Sequence, residues 1–276
     1  MYTIWENEVN AHLNKNMSYH AIWISDVHLG TPGAQVIPLL EFLKHTECKT
    51  LYLVGDIIDG WQLKKRFFWP QKHNDVIQKI LRKARNGTKV IYIPGNHDEA
   101  ARNYIGYNFG EVEIHSDYVH QTIKGEKLWI VHGDFFDNVI QHARWLAYLG
   151  DYAYNALLRV NYVINRIRRS LNLPYWSFSQ YLKLKVKSAV SFISAFETAM
   201  IKEARRRRCS GVVRGHIHKA EIREIDGIKY FNDGDWVESL TALVEHHDGR
   251  MEIVNWTSMA ERASFVDDTF DVSSIR

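Results

Sequence analysis

Only two of the 276 residues are cysteine, Cys48 and Cys209, and they stand far apart. That spacing excludes a disulfide framework and a zinc ribbon, and both thiols read as reduced, Cys48 as core packing. No apolar run approaches the ~20 residues needed to cross a bilayer. Residues 1–19 are polar and lack the apolar stretch of a secretion signal, so export is not expected and the chain reads as cytoplasmic. No internal repeat or low-complexity tract stands out. What remains is an ordinary globular balance, 46% hydrophobic and 24% charged. The length suits one α/β domain with a large insertion.

Charge is unevenly placed. The net value is only +3, yet Val139–Cys209 holds 13 Lys/Arg against 3 Asp/Glu, leaving 22 against 29 elsewhere. Such a basic stretch suits an anionic partner: phosphate, nucleic acid or the inner face of a membrane. A solvated helical bundle with a cationic face is the plain alternative. Four consecutive arginines, Arg205–Arg208, cannot share one helix face, and they fit a helix C-terminus where the dipole favours cations.

Five short apolar runs each end in a polar loop: His20–Ile24, Thr50–Val54, Lys89–Ile93, Lys127–Val131 and Gly211–Arg214. The spacing predicts helices over Val36–His45 and from about Asn74 to Arg85, the latter closed by Asn86-Gly87. Beyond the fifth run, Glu221–Ile225, Ile228–Phe231, Leu240–Glu245 and Met251–Trp256 alternate like strands of a second sheet, with Asp226-Gly227 and Asp248-Gly249 as turns. The fold expected is α/β: a two-sheet β-sandwich flanked by helices. Its domain would comprise residues 17–136 and 210–258, interrupted by a helical cap over 137–209, with extensions at 1–16 and 259–276. Apolar periodicity through the cap, broken at Asn172-Leu173-Pro174, fits either a packed lid or a groove for a lipid tail.

The loops carry the chemistry. They read Asp26-Val27-His28, Gly55-Asp56-Ile57-Ile58-Asp59, Gly95-Asn96-His97-Asp98, His132-Gly133-Asp134 and Gly215-His216-Ile217-His218. Carboxylates, imidazoles and an amide without thiolate suit Mn²⁺, Fe or Zn²⁺. Two such ions about 3.5–4 Å apart lower the pKa of water and neutralise phosphate oxygens. One histidine motif would be weak; five in order, each closing an apolar strand, form a metal-site signature. His12, His20, His45, His73, His115, His120, His142, His246 and His247 end no such strand and read as ordinary core or surface histidines. Gly55, Gly95, Gly133 and Gly215 fall where the chain must turn beside the ligands.

From Ala21 to about Asn255 this series resembles the calcineurin-like metallophosphoesterases. The resemblance implies a first ion held by Asp26, His28, Asp56 and His218, and a second by Asp56, Asn96, His132 and His216, with Asp56 bridging. It places His97 against phosphate or the leaving oxygen, oriented by Asp59 or a neighbour. Asp98 and Asp134 are expected to orient ligands. Within that class, the insertion and the tail Asn232-Asp233-Gly234-Asp235-Trp236 are similar to UDP-2,3-diacylglucosamine pyrophosphatases of lipid A synthesis, which release UMP and a diacylglucosamine 1-phosphate. Those enzymes carry Arg where His97 stands. Arginine stabilises charge but cannot act as an acid, whereas histidine can protonate an alkoxide leaving group. A phosphodiesterase or phosphomonoesterase therefore stays open beside the lipid-linked nucleotide pyrophosphatase. A partner-binding scaffold would have lost a ligand, and none is missing. The apolar stripe argues against nucleic acid. Arg144, Arg159, Arg166 and Arg169 are candidate contacts to phosphate or an anionic membrane; the metal's identity and the oligomeric state are left open.

Overall fold

A computed structural model describes residues 17–136 and 196–257. The chain divides into two compact units, 1–134 with 204–276 and 135–203, and every strand described below lies in the first. Residues 196–206 are helical; the rest of the expected insertion up to residue 195, with Arg144, Arg159, Arg166 and Arg169, lies outside the described residues, as do 1–16 and 258–276.

Strand β1 (Met17–Ile24) leads through α1 (Val36–His45) to β2 (Thr46–Val54), then α2 (Gly60–Lys65) and α3 (Gln71–Arg85) to β3 (Lys89–Ile93). Short strands β4 (Asn108–Phe109), β5 (Val112–Ile114) and β6 (Tyr118–Gln121) precede β7 (Lys127–Ile130). After the insertion come β8 (Gly211–Arg214), β9 (Glu221–Ile225), β10 (Ile228–Asn232), β11 (Thr241–Glu245) and β12 (Met251–Asn255). Two sheets result, one in the order β12-β11-β1-β2-β3-β5-β4 and one in the order β6-β7-β8-β10-β9. The last four strands do not form a sheet of their own. β9 and β10 extend the smaller sheet, while β11 crosses to pair antiparallel with β1 and carries β12 with it.

Alternation explains the layering. In β1, Ala21 and Trp23 enter the core between the sheets, where Trp23 stacks on Tyr52 at 5.2 Å, while Ile22 and Ile24 face the helices. Leu39, Phe42 and Leu43 of α1, and Val76, Ile80 and Ala84 of α3, recur at helical spacing and close that second core. Fully burying each of the Val, Leu, Ile and Phe side chains among them is worth roughly 1.5–3 kcal/mol. Gly87, at φ +98°, ends α3 as the sequence predicts, its amide donating to the Ala84 carbonyl. β1, β2 and β3 run parallel in one sheet, and β7 and β8 run parallel in the other. Their C-terminal ends bring five loops together from both layers, not from the edge of a single sheet. Among the described residues, no helix is long and apolar enough to cross a membrane.

Candidate metal centre

Backbone hydrogen bonds lash the loops to one another before any side chain is considered. Asp26 N donates to the Gly55 carbonyl at 3.0 Å, His28 N to Asp56 O at 2.9 Å, and Gly60 N to His97 O at 2.9 Å. Trp236 N donates to Asp26 O at 3.1 Å, and His216 N donates to Asp26 Oδ2 at 2.7 Å. Asp98 completes the lashing. Its carboxylate accepts from Gly95 N at 2.5 Å and Ile57 N at 2.8 Å, so it holds the loops after β2 and β3 together. Asp98 thus acts on the ligand-bearing loops through their backbone amides. Asp134 pairs with Arg102.

Two clusters emerge. Asp26, His28 and His218 bring one donor atom each within 4.8 Å of one another, and so do Asp56, His132 and His216. His218 Nε2 lies 3.1 Å from Asp26 Oδ1, and His132 Nε2 lies 3.3 Å from Asp56 Oδ2. The outer nitrogens of two rings are already committed. His132 Nδ1 is 2.7 Å from the Val54 carbonyl, and His28 Nδ1 is 3.2 Å from Asp59 Oδ2. A ring that donates from Nδ1 turns the Nε2 lone pair inward, the arrangement a metal-binding imidazole needs. Asp26 Oδ1, His28 Nε2, His132 Nε2 and the Asn96 amide oxygen are buried without a hydrogen-bond partner. Such orphaned atoms cost about 1–3 kcal/mol each unless something else satisfies them. Their chemistry fits hard or borderline divalent cations.

The backbone carries strain at the same positions. Asp26, His28, Asp56, His216 and His218 all have left-handed φ, between 50° and 73°. Non-glycine residues adopt this region at a cost of order 1–3 kcal/mol, and its concentration on candidate ligands marks a functional site. Glycine is required where the ligands press on the chain. A Cβ on Gly55 would lie 2.3 Å from the His132 ring, and one on Gly95 would lie 2.3 Å from Asp56 Oδ1.

Charge follows from this crowding. Burial opposes ionisation of Asp56, but His132 outweighs it and holds the carboxyl at about 2. Burial likewise opposes a charge on His132, yet Asp56 pushes its pKa up to about 10. Burial of His28 is outweighed by Asp26 and Asp59, which raise it to about 9. Without cations the site is a nest of charged pairs, and incoming ions must displace those protons.

His97 occupies the rim. Its Nδ1 lies 3.1 Å from Asp59 Oδ2, its amide donates to Asp56 Oδ1 at 2.8 Å, and its Nε2 is 3.9 Å from Asp56 Oδ2. Asp59 also caps α2, accepting from Gln62 N at 2.8 Å, which fixes its carboxylate between His28 and His97. Sequence reasoning missed Trp61, whose ring centroid lies 4.3 Å from that of His97; a six-residue helix has too little periodicity to signal it. It also gave no individual role to Ser25, or to Asp233 beyond its place in the Asn232–Trp236 tail. Ser25 Oγ lies 2.6 Å from Asp26 Oδ2 and 2.8 Å from Asp233 Oδ1. One hydroxyl proton cannot serve both carboxylates. Burial, with Asp26 nearby, pushes the Asp233 carboxyl well above the usual carboxylate range, a direction that favours its protonated form beside Ser25.

The calcineurin-like phosphoesterase profile matches residues 19–220. The chain belongs to that family, a class of metal-dependent phosphoesterases whose two-sheet fold it shares. It is similar to the UDP-2,3-diacylglucosamine hydrolase of Neisseria meningitidis serogroup B, 24% identical over 239 residues, 81% of this chain and 92% of that one. It is also similar to the Porphyromonas gingivalis protein of the same name, 26% identical over 118 residues. That match spans 40% of this chain and 44% of the relative, less than half its length. Among solved structures, an archaeal phosphodiesterase covers 85% of this chain and 98% of its own, at a TM-score of 0.39 and 14% identity.

Proposed function

We propose that this chain hydrolyses the phosphoric anhydride of UDP-2,3-diacylglucosamine, releasing UMP and 2,3-diacylglucosamine 1-phosphate. Two divalent ions serve as cofactors, Mn²⁺ by preference and Fe or Zn²⁺ as substitutes. The observation that carries the reading is the pair of His/Asp clusters, in which Asp26 Oδ1, His28 Nε2, His132 Nε2 and the Asn96 amide oxygen are buried without a hydrogen-bond partner. Asp26, His28, Asp56 and His218 would hold one ion and Asp56, Asn96, His132 and His216 the other. Bound there, such ions polarise phosphoryl oxygens and bring a water molecule into its nucleophilic range near neutral pH.

The chain's own groups do the rest. Val54 and Asp59 fix the tautomers of His132 and His28 through their Nδ1 atoms. Asp59 steadies His97 through Nδ1, leaving Nε2 to donate a hydrogen bond or a proton to the departing oxygen. Trp61 backs that ring and limits its rotation. Beside the loop of His28, whose carbonyl accepts from Thr31 N, an apolar cleft of about 710 Å³ opens between Ala34, Val36, Ile37, Pro38, Phe68 and Pro70. A cleft of that size and lining suits an acyl chain. Lys64, Lys65 and Arg66 lead directly into Phe67, which is 78% exposed, and that sequence suits association with an anionic membrane surface. Arg144, Arg159, Arg166 and Arg169, in the stretch 137–209 that the sequence marks as a cap, are proposed to meet the phosphates of the substrate.

His97 supports a second reading, a phosphodiesterase or phosphomonoesterase on another anionic substrate, because an imidazole can protonate a poor leaving group. Product analysis separates the two. The Mn²⁺-loaded protein is given UDP-2,3-diacylglucosamine, with the Asp56→Ala chain as blank. UMP released by the intact chain alone supports the pyrophosphatase; metal-dependent cleavage of a nitrophenyl phosphodiester without any UMP overturns it in favour of the second reading.

A further inference from the structure

Roughly 20 Å along β1 from the Asp26 loop, at ~3.3 Å per residue, lies a second group of metal-type side chains. His20 of β1, His120 of β6 and Glu245 of β11 bring one donor atom each within 4.8 Å of one another. The three strands belong to both sheets, β1 and β11 to the larger and β6 to the smaller. His120 and Glu245 are buried, and His20 forms the partly exposed mouth.

The chain goes out of its way to aim His20 there. Tyr19 and Ile22 both pack on the helix side of the larger sheet, while Ala21 and Trp23 face the smaller sheet. A regular strand would put residues 19 and 22 on opposite faces. The alternation therefore slips by one residue at His20, turning its ring toward His120, 6.0 Å away between centroids. Such slips re-aim single side chains, and they concentrate at functional positions. His20 Nδ1 is buried without a partner.

The geometry is that of a ligand set. His120 Nε2 lies 2.8 Å and His20 Nε2 3.9 Å from the same oxygen, Glu245 Oε2. Ligands about 2.0–2.1 Å from a tetrahedral ion stand about 3.4 Å apart, so the two distances bracket the edge of such a site. Outer atoms are already held: Tyr52 Oη is 2.9 Å from His120 Nδ1, and Ile123 N donates to Glu245 Oε1 at 2.9 Å. Partners of this kind orient the ligands of a metal site. A hydrogen-bonded His120–Glu245 pair alone accounts for neither the slip nor the third ring.

We propose that His20, His120 and Glu245 bind one divalent transition ion of the zinc class, separate from the phosphoesterase centre and pinning β6 to β1 and β11. Two imidazoles and one carboxylate leave a fourth position for water at the His20 mouth.

Ion counting tests this on the full chain, stripped with chelator, reloaded with Zn²⁺, dialysed and analysed by elemental mass spectrometry. His20→Ala is expected to lower the count by one ion per chain while phosphodiester hydrolysis stays within twofold. The double variant Asp26→Ala with Asp56→Ala, which disables the phosphoesterase centre, is expected to keep one tightly held ion and to lose it when His20→Ala is added. His20→Gln replaces His20→Ala if the smaller side chain prevents folding. An unchanged count in the folded His20 variant, or no ion retained by the double variant, overturns the proposal. Either result stands apart from the identity of the phosphate substrate, since neither arm depends on it.

Discussion

Substituting Gly95 by Ala adds one methyl group to the interior of the metal centre. That Cβ would lie 2.3 Å from Asp56 Oδ1 and 2.6 Å from His132 Nε2. Carbon needs about 3.5 Å from a non-bonded heavy atom, so roughly 1 Å of overlap must be relieved. The carboxylate cannot simply rotate away, because its Oδ1 accepts the His97 amide at 2.8 Å and its Oδ2 faces His132 at 3.3 Å. Gly95 does not sit at positive φ, so no left-handed strain adds to the steric effect. Overpacking of this kind costs about 1–3 kcal/mol, a fall in Tm of about 2–4 °C for each kcal/mol in a chain of this size. Catalysis should suffer more: a displacement of about 1 Å in a reacting group costs on the order of 100-fold, or about 2.7 kcal/mol of barrier. The assay is hydrolysis of a nitrophenyl phosphodiester in saturating Mn²⁺, beside a thermal melt of the same sample. Gly87→Ala is the control, since its φ of +98° makes alanine costly by about 1 kcal/mol while nothing lies within 4 Å of the new Cβ. It should melt earlier and turn over normally. A Gly95→Ala protein retaining a third or more of its turnover would refute the placement of Asp56 and His132 at the reacting centre.

Four further outcomes are expected. His97→Ala should lower turnover on esters with poor leaving groups far more than on activated ones, and equal losses would leave His97 a phosphate contact only. Asp233→Asn should flatten part of the pH dependence of stability. A carboxyl whose pKa is raised by burial holds its proton in the folded state after the unfolded chain has lost it, so its contribution is full below the unfolded value and declines as pH rises above it. Chemical denaturation from pH 5 to 8 should show the two proteins diverging toward high pH; parallel curves would mean that Asp233 is ionised. Chelation should abolish hydrolysis, and Mn²⁺ at 100 times its Kd should stabilise the chain by about 2.7 kcal/mol for each ion bound. Because ions displace protons from His28 and His132, calorimetric Kd values should tighten from pH 6 to 8.

The strands that carry the loops were legible because each is a short apolar run with an abrupt polar end. Lys89–Ile93 and Gly211–Arg214 match residue for residue, and so does the helix Val36–His45. What the sequence could not convey was partnership. Alternation in β11 and β12 reports which residues face inward, and says nothing of which strand lies alongside; hence their expected place in a sheet with β9 and β10. His20 and His120 passed as ordinary histidines because neither ends a strand. Their juxtaposition depends on a one-residue slip in β1 and on two sheets meeting, which only three dimensions display.

The five loops come from two layers, β1, β2 and β3 on one side and β7 and β8 on the other. Distances at the centre are therefore set by how the layers slide against each other, with Trp23, Tyr52, Ile130 and Val213 acting as the bearing surface between them. A substitution deep in that apolar seam shifts one set of ligands relative to the other without touching any of them. The spacing of the metal centre is in this sense a gauge of core packing, and residues far from phosphate chemistry hold it to tolerance.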